Sequence, residues 1–235
     1  MKKTMILLCA ALQLCACGGR FKQNLNVASA MDSSPDNMDI ADTTDRLWYE
    51  SCDYVPDTVV GRFIEPNRVD TLLFRLYSEK ECRYIDRAPY NVSIWDYIDW
   101  MQERDAVIRV ETTDGRIVHT EIDRTGVCRA VALDGLVQGT DALAIVWFTM
   151  QISNIEMCHV VTIANGQWRE IGSFDVNTFT LPDSTHVEHG IEGVLEKRKG
   201  EWMYRSYEDQ MQWYEDHDSG DCPMKLLKSI LHVMP

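Results

Sequence analysis

Residues 143–174 read LAIVWFTMQISNIEMCHVVTIANGQWREIGSF, and the fold turns on this stretch. From Ala144 the even positions are Ala144, Val146, Phe148, Met150 and Ile152, an unbroken apolar face. The odd positions Leu143, Ile145 and Trp147 are apolar too, before Thr149, Gln151 and Ser153 turn polar. Period-two alternation marks a strand, and apolar residues on both faces of its first half mark a central one. Met157–Ala164 and Gln167–Phe174 follow, joined by Asn165-Gly166. A type I′ turn needs positive φ at both central residues, so Asn-Gly between two such runs predicts a hairpin. That turn sets Ile163 opposite Trp168 and Val160 opposite Ile171.

Outward from this core, hairpins continue on both sides. Arg116–Ile122 pairs back onto Ala106–Thr113 through Asp114-Gly115, which sets Glu111 opposite Val118 and Val110 opposite His119. Thr58–Ile64 and Arg68–Tyr77 read as strands split by Glu65-Pro66-Asn67, which is turn chemistry. Cys128–Leu133 is a short strand, and Asp134–Asp141 is a loop leading into the central strand. One helix is well marked. Ser93 caps it with Asp96 three residues on, and Ile94, Tyr97, Ile98 and Met101 share one face. It should end near Arg104, with Trp95 and Trp100 flanking the contact between helix and sheet.

Downstream, Thr178–Gly190 is loop. Ile191–Lys197 and Glu201–Tyr207 form a last hairpin through the three-residue connection Arg198-Lys199-Gly200. Leu226, Leu227, Ile230, Leu231 and Met234 keep a helical period, which Asp221 could cap; a β-edge reading of the same residues stays open. Every connection suits antiparallel neighbours. The expected fold is mainly β: an antiparallel sheet of consecutive hairpins with one or two packed helices, in the α+β class.

The chain has 235 residues, 45% of them hydrophobic, and a formal net charge of −14. That acidity disfavours nucleic acid, because phosphate binding needs clustered Lys and Arg. Met1-Lys2-Lys3 is a short basic start, and Thr4–Leu14 is an apolar run too short to span a bilayer. The expected organisation is a signal peptide over 1–16, a disordered tether over 17–46 and an antiparallel β-rich domain over 47–235. The tether is polar, with scattered acids such as Asp32, Asp36 and Asp39. It has too little apolar surface to offset its chain entropy.

Candidate chemistry is sparse. Past residue 16 the cysteines are Cys17, Cys52, Cys82, Cys128, Cys158 and Cys222, with no Cys-x-x-Cys spacing. Connectivity among the last five is open, and several read equally as small buried hydrophobes. The most ligand-like cluster is His186, Glu188 and His189, with Asp183 upstream. Its spacing is not the His-Glu-x-x-His that presents two imidazoles from one helix, so a solvated loop is the competing reading. His217, between Asp216 and Asp218, is a weaker version, and His119 and His159 fall on strands. The seven Trp could form a sugar platform or fill the core. No Gly-x-Ser-x-Gly, Walker loop or dinucleotide fingerprint occurs, and no motif asks for a cofactor.

Leu14-Cys15-Ala16-Cys17, placed after the basic and apolar leader, resembles the lipobox of bacterial lipoproteins. The resemblance implies cleavage before Cys17 and acylation of that residue, palmitate-type chains included. It also implies delivery to the outer membrane, since Gly18 rather than an Asp follows. An ordinary cleaved signal peptide is the alternative. From about Asp57 to Tyr207 the chain further resembles a loose group of uncharacterised bacterial envelope lipoproteins. These carry an Asp-rich, propeller-blade-like loop before a strand, then a Cys-containing strand and an Asn-Gly-x-Trp turn. Here Asp134–Asp141, Cys158 and Asn165-Gly166-Gln167-Trp168 stand in that order. The loop keeps only Asp134 and Asp141, whereas a filled calcium site takes six to eight oxygens.

The sequence therefore leads to a lipid-anchored cell-envelope domain with a non-enzymatic binding or structural role. Its partners would be the membrane, through the lipid on Cys17, and an envelope protein or glycan. The second expectation is an envelope hydrolase, in its metal-dependent form using His186, Glu188, His189 and Asp183.

Overall fold

The computed structural model describes residues 51–90, 92–150, 155–164, 166–177, 191, 193–217 and 222–232. The first half builds a five-stranded sheet and a separate two-stranded one. Strands β1 (Ser51–Asp53), β2 (Asp57–Gly61), β3 (Asp70–Ser78), β4 (Arg83–Tyr84) and β5 (Arg87–Pro89) precede helix α1 (Ile94–Gln102). Strands β6 (Ala106–Thr112) and β7 (Ile117–Glu121) follow it. The order is β2-β3-β6-β7, with β4 on β3, while β1 and β5 pair separately. In β3 burial alternates without a break, with Asp70, Leu72, Phe74, Leu76 and Ser78 buried and the residues between them half-buried. The Ser93 hydroxyl accepts from Asp96 N–H, as its capping role requires, and α1 buries Tyr97, Ile98, Trp100 and Met101. Trp100 is therefore a core residue, while Trp95 is 64% exposed and takes no part in the contact between helix and sheet.

The second sheet contains β8 (Arg124–Leu133), β9 (Ala142–Thr149), β10 (Ile155–Ala164) and β11 (Gln167–Asn177), in the order β11-β10-β9-β8, all antiparallel. It is the middle layer of the molecule. Leu143, Ile145 and Trp147 of β9 enter a core shared with the first sheet and α1. Ala142, Ala144 and Val146 enter a second core on the opposite face. A C-terminal layer covers that face. It comprises β12 (Leu195–Arg198), β13 (Glu201–Tyr204), α2 (Tyr207–Asp216), β14 (Lys225–Leu226) and a 3-10 turn over Leu227–Ile230. Among the described residues no helix is long and apolar enough to cross a membrane.

Two predicted registers shift by one residue. Ile163 pairs with Trp168 as expected, but Val160 meets Gly172, because β11 carries a bulge that leaves Ile171 extra. The bulge inverts the parity of the strand. Trp168 packs toward the first core, whereas Ile171, Phe174 and Val176 all join the second. Val110 meets His119 as expected, but Glu111 meets Ile117, because a second bulge sits beside Val118. That bulge turns Val118 into the first core beside an inward His119.

Other corrections lie toward the C-terminus. The last hairpin turns through two residues, Lys199 and Gly200, both at positive φ, and Arg198 stays in the strand opposite Glu201. That strand stops at Tyr204, and Tyr207 opens α2, capped by the Ser206 hydroxyl on Asp209 N–H. Only Gln210 of α2 is buried, so no apolar stripe announces the helix. The tail is strand and then 3-10 turn, dividing the helical and β-edge readings between its two halves.

Candidate binding cleft

The described cysteines carry free thiols. Cys128 and Cys158 are buried in the two cores, and Cys82 is exposed. Burial pushes both core thiols up, so neither is a ready thiolate nucleophile. Cys128 Sγ donates to Asp57 Oδ2 at 3.6 Å. Burial raises the Asp57 carboxyl against the opposing pull of Arg129, whose guanidinium donates to the Cys128 carbonyl at 3.0 Å.

A polar seam runs between the first two sheets. His119 stacks on Trp168 with ring centres 4.5 Å apart, and its Nε2 lies 2.9 Å from Glu121 Oε2. Arg124 Nε reaches the other oxygen of Glu121 at 3.4 Å. Burial opposes ionisation of Glu121, but the bond from His119, with His119 and Arg124 charge beside it, holds its carboxyl below the ordinary range. His159 Nδ1 lies 2.7 Å from Glu170 Oε2. On the opposite face of the central sheet, Glu156 accepts from the Thr149 N–H at 3.3 Å and hydroxyl at 3.1 Å, and burial pushes its carboxyl up. Carboxyls shifted in opposite directions can divide acid and base roles. Here Glu121 is engaged by His119 of its own strand and Arg124 of β8, and Glu156 by Thr149 of β9, so these contacts act as joints between β7 and β8 and between β9 and β10.

Among the described residues the second core is not closed at one end. A cleft of about 560 Å³ opens there, within the size range of small-ligand sites. Its walls come from four places: Ile64 after β2, Val137, Gln138 and Thr140 of the β8–β9 loop, Thr162–Ala164 with Ile171, and the C-terminal Leu231 and His232. The His232 N–H donates to the Ile171 carbonyl at 2.7 Å, which fixes the C-terminal wall to the bulge of β11. Gly172 lets this wall approach, for a Cβ there would lie 3.0 Å from Leu231 Cδ2 and 3.1 Å from the Ile230 carbonyl. The loop wall is held by a clamp. The Arg62 N–H donates to Asp141 Oδ2 at 2.8 Å, its guanidinium to Oδ1 at 2.8 Å, and Asp141 N–H returns to the Arg62 carbonyl at 2.8 Å. Burial raises the Asp141 carboxyl, but its bonds to Arg62 together outweigh that and leave it below the ordinary range.

The two acids of the Asp134–Asp141 loop are thus engaged elsewhere, Asp141 by Arg62 and Asp134 by Lys197 at 2.6 Å. Cys17 and the His186, Glu188, His189 and Asp183 cluster lie outside the described residues. His217 stacks on Trp213 at 3.6 Å and bonds its carbonyl at 3.1 Å, so it belongs to the end of α2. Trp100 and Trp147 fill the first core, and Trp168 packs against it. The cleft itself had no sequence signal, because its walls are drawn from four segments spread from Ile64 to His232, and none of them carries a motif. Family models, curated proteins and solved structures were all compared with this chain, and none matches it.

Proposed function

We propose that this chain is a lipid-anchored envelope protein whose β domain binds a ligand without transforming it. The cleft carries the binding part of this reading. It is a concave site with aliphatic walls and a few polar side chains, which is how binding sites are commonly built. The leader and Leu14-Cys15-Ala16-Cys17 support the anchoring part, with acylation at Cys17 and residence in the outer membrane. More than one acyl chain is needed for stable attachment, since each buried methylene adds about 0.8 kcal/mol.

Cells grown with labelled palmitate should yield a labelled chain in the membrane fraction. Cys17→Ser should abolish the label and leave the precursor uncleaved, because the thiol is the acylated group. Normal processing and membrane retention of that variant would overturn the anchor. Purified protein that turned over an envelope substrate while retaining no ligand would overturn the binding role.

A further inference from the structure

Helix α1 carries one large side chain that its packing does not use. Tyr97, Ile98, Trp100 and Met101 fill its inner face, while Trp95, Asp99 and Gln102, spaced by four and three, share the outer one. On that polar face Trp95 leaves 64% of its surface in water. A lone exposed leucine needs no explanation. An indole is apolar in its body and polar at its N–H, which suits the boundary between water and a bilayer. Tyr90, a second ring of that kind on the approach to α1, is 39% exposed. Among the described residues the other exposed large hydrophobic side chains carry no ring, apart from Tyr214 on α2.

The place of these rings is the independent observation. Ser51 is the first described residue, and it pairs with Pro89, the neighbour of Tyr90. The chain therefore enters the domain beside Tyr90, and Trp95 follows five residues on. Only residues 18–50 separate Ser51 from Cys17, and they reach at most about 120 Å. A domain tethered so meets the bilayer at a high effective concentration, so a weak surface contact is enough to set its orientation. Charge selects the lipid. Asp96 and Asp99 stand beside Trp95, in a chain of net charge −14. An anionic surface would repel them, and a zwitterionic one would not.

We propose, resting on the lipid anchor at Cys17, that Trp95 and Tyr90 form a membrane-facing edge that seats the domain on a zwitterionic bilayer surface. Fluorescence quenching tests it on the acylated full-length chain reconstituted into phosphatidylcholine vesicles. Bromine carried on the lipid chains dims only those indoles that reach the bilayer. Tryptophan emission should fall when brominated phosphatidylcholine replaces the plain lipid. Trp95→Phe should lose most of that fall, and Trp213→Phe should keep it. Trp95 is exposed, so the melting temperature of Trp95→Phe should hold. Tyr90→Ser should weaken the quenching of Trp95, and added phosphatidylglycerol should weaken it too. Equal quenching of wild type and Trp95→Phe, or quenching that grows with phosphatidylglycerol, would overturn this surface and leave the anchor in place. A wild-type chain that floats with the vesicles on a density gradient, yet is not dimmed by bromine, would do the same. A chain that does not float with them would overturn the anchor, and the membrane-facing edge with it.

Discussion

The central sheet buries both faces, and the two burials differ in kind. Toward the first sheet it presents Leu143, Ile145, Trp147 and Ile163, and Phe74, Trp100 and Met101 meet them. Phe74 and Trp147 pack edge to face, ring centres 5.9 Å apart. Toward the C-terminal layer the sheet presents Ala142, Ala144, Val146 and Val160, and the layer reaches in with Ile191, Val194, Leu195 and Leu227. The first face is filled from within by rings and closed by five strands and a helix. Small residues on the second face leave more room, and a layer of short elements must occupy it. Beside Leu231 and His232, the last described residues of that layer, the cleft begins. A cleft can open beside the second face while the ring-filled first core stays closed, and that arrangement would suit a molecule whose stability is carried mainly by the first.

The largest effect should therefore come from the first face. Trp147 is 4% exposed and central to that core, so Trp147→Ala should cost about 3–5 kcal/mol. Leu227→Ala removes the one fully buried side chain of the 3-10 turn, and should cost about 2 kcal/mol, the lower end for a buried leucine. Urea unfolding measures both. Limited proteolysis should cut near the C-terminus in the second variant and not in the first. Equal costs, with no difference in cleavage, would mean that the two faces carry stability alike.

Trp168 sharpens the same contrast from the seam. It is only half-buried, packed on the first core and stacked on His119. Trp168→Ala should cost about 1–2 kcal/mol, the stacking and half a side chain's burial. A loss as large as that of Trp147 would place Trp168 among the residues that carry the core, as its position opposite Ile163 suggests when the sequence is read alone.

How much was legible follows from these particular residues. The alternation from Leu143 to Phe148 gave away a strand buried on both faces, because both sets of positions are apolar. Ser93 with Asp96 gave the first helix, and Ser206 with Asp209 carries the same signature for the second. That second signal begins inside the stretch read as strand, Glu201–Tyr207, and no apolar stripe in Tyr207–Asp216 supports it. The bulges at Ile171 and Val118 were hidden, since a turn fixes register only until an extra residue enters the ladder. In retrospect the spacing of Trp168, Ile171, Phe174 and Val176 changes from three to two residues, which is the mark of a strand that changes face. The cleft was not legible at all. It depends on Arg62 meeting Asp141 and His232 meeting Ile171, contacts that no local pattern encodes.

The smallest effect should have the opposite sign. Glu156 has the parity of Cys158 and Val160, so it lies on the second face, and it is only 8% exposed. Burial raises its carboxyl, and the bonds from Thr149, with Arg124 and His159 charge nearby, only partly offset this. A carboxyl whose folded pKa stands above its unfolded value, about 4.3 for glutamate, binds its proton more tightly in the folded state. Its stabilising contribution is present below that value and is lost as pH rises through the folded pKa. At neutral pH the ionised group is a net cost. Glu156→Gln keeps an oxygen for Thr149 and removes the charge, so it should raise the melting temperature at pH 7. The rise should stay within the roughly 2–4 °C that 1 kcal/mol gives a domain of this size. The gain should shrink on acidification and vanish below about pH 4, where the wild-type carboxyl is protonated in both states. A variant less stable than wild type at pH 7 would show that the charge itself is stabilising, and that the second face tolerates a buried anion because the charge nearby offsets its burial.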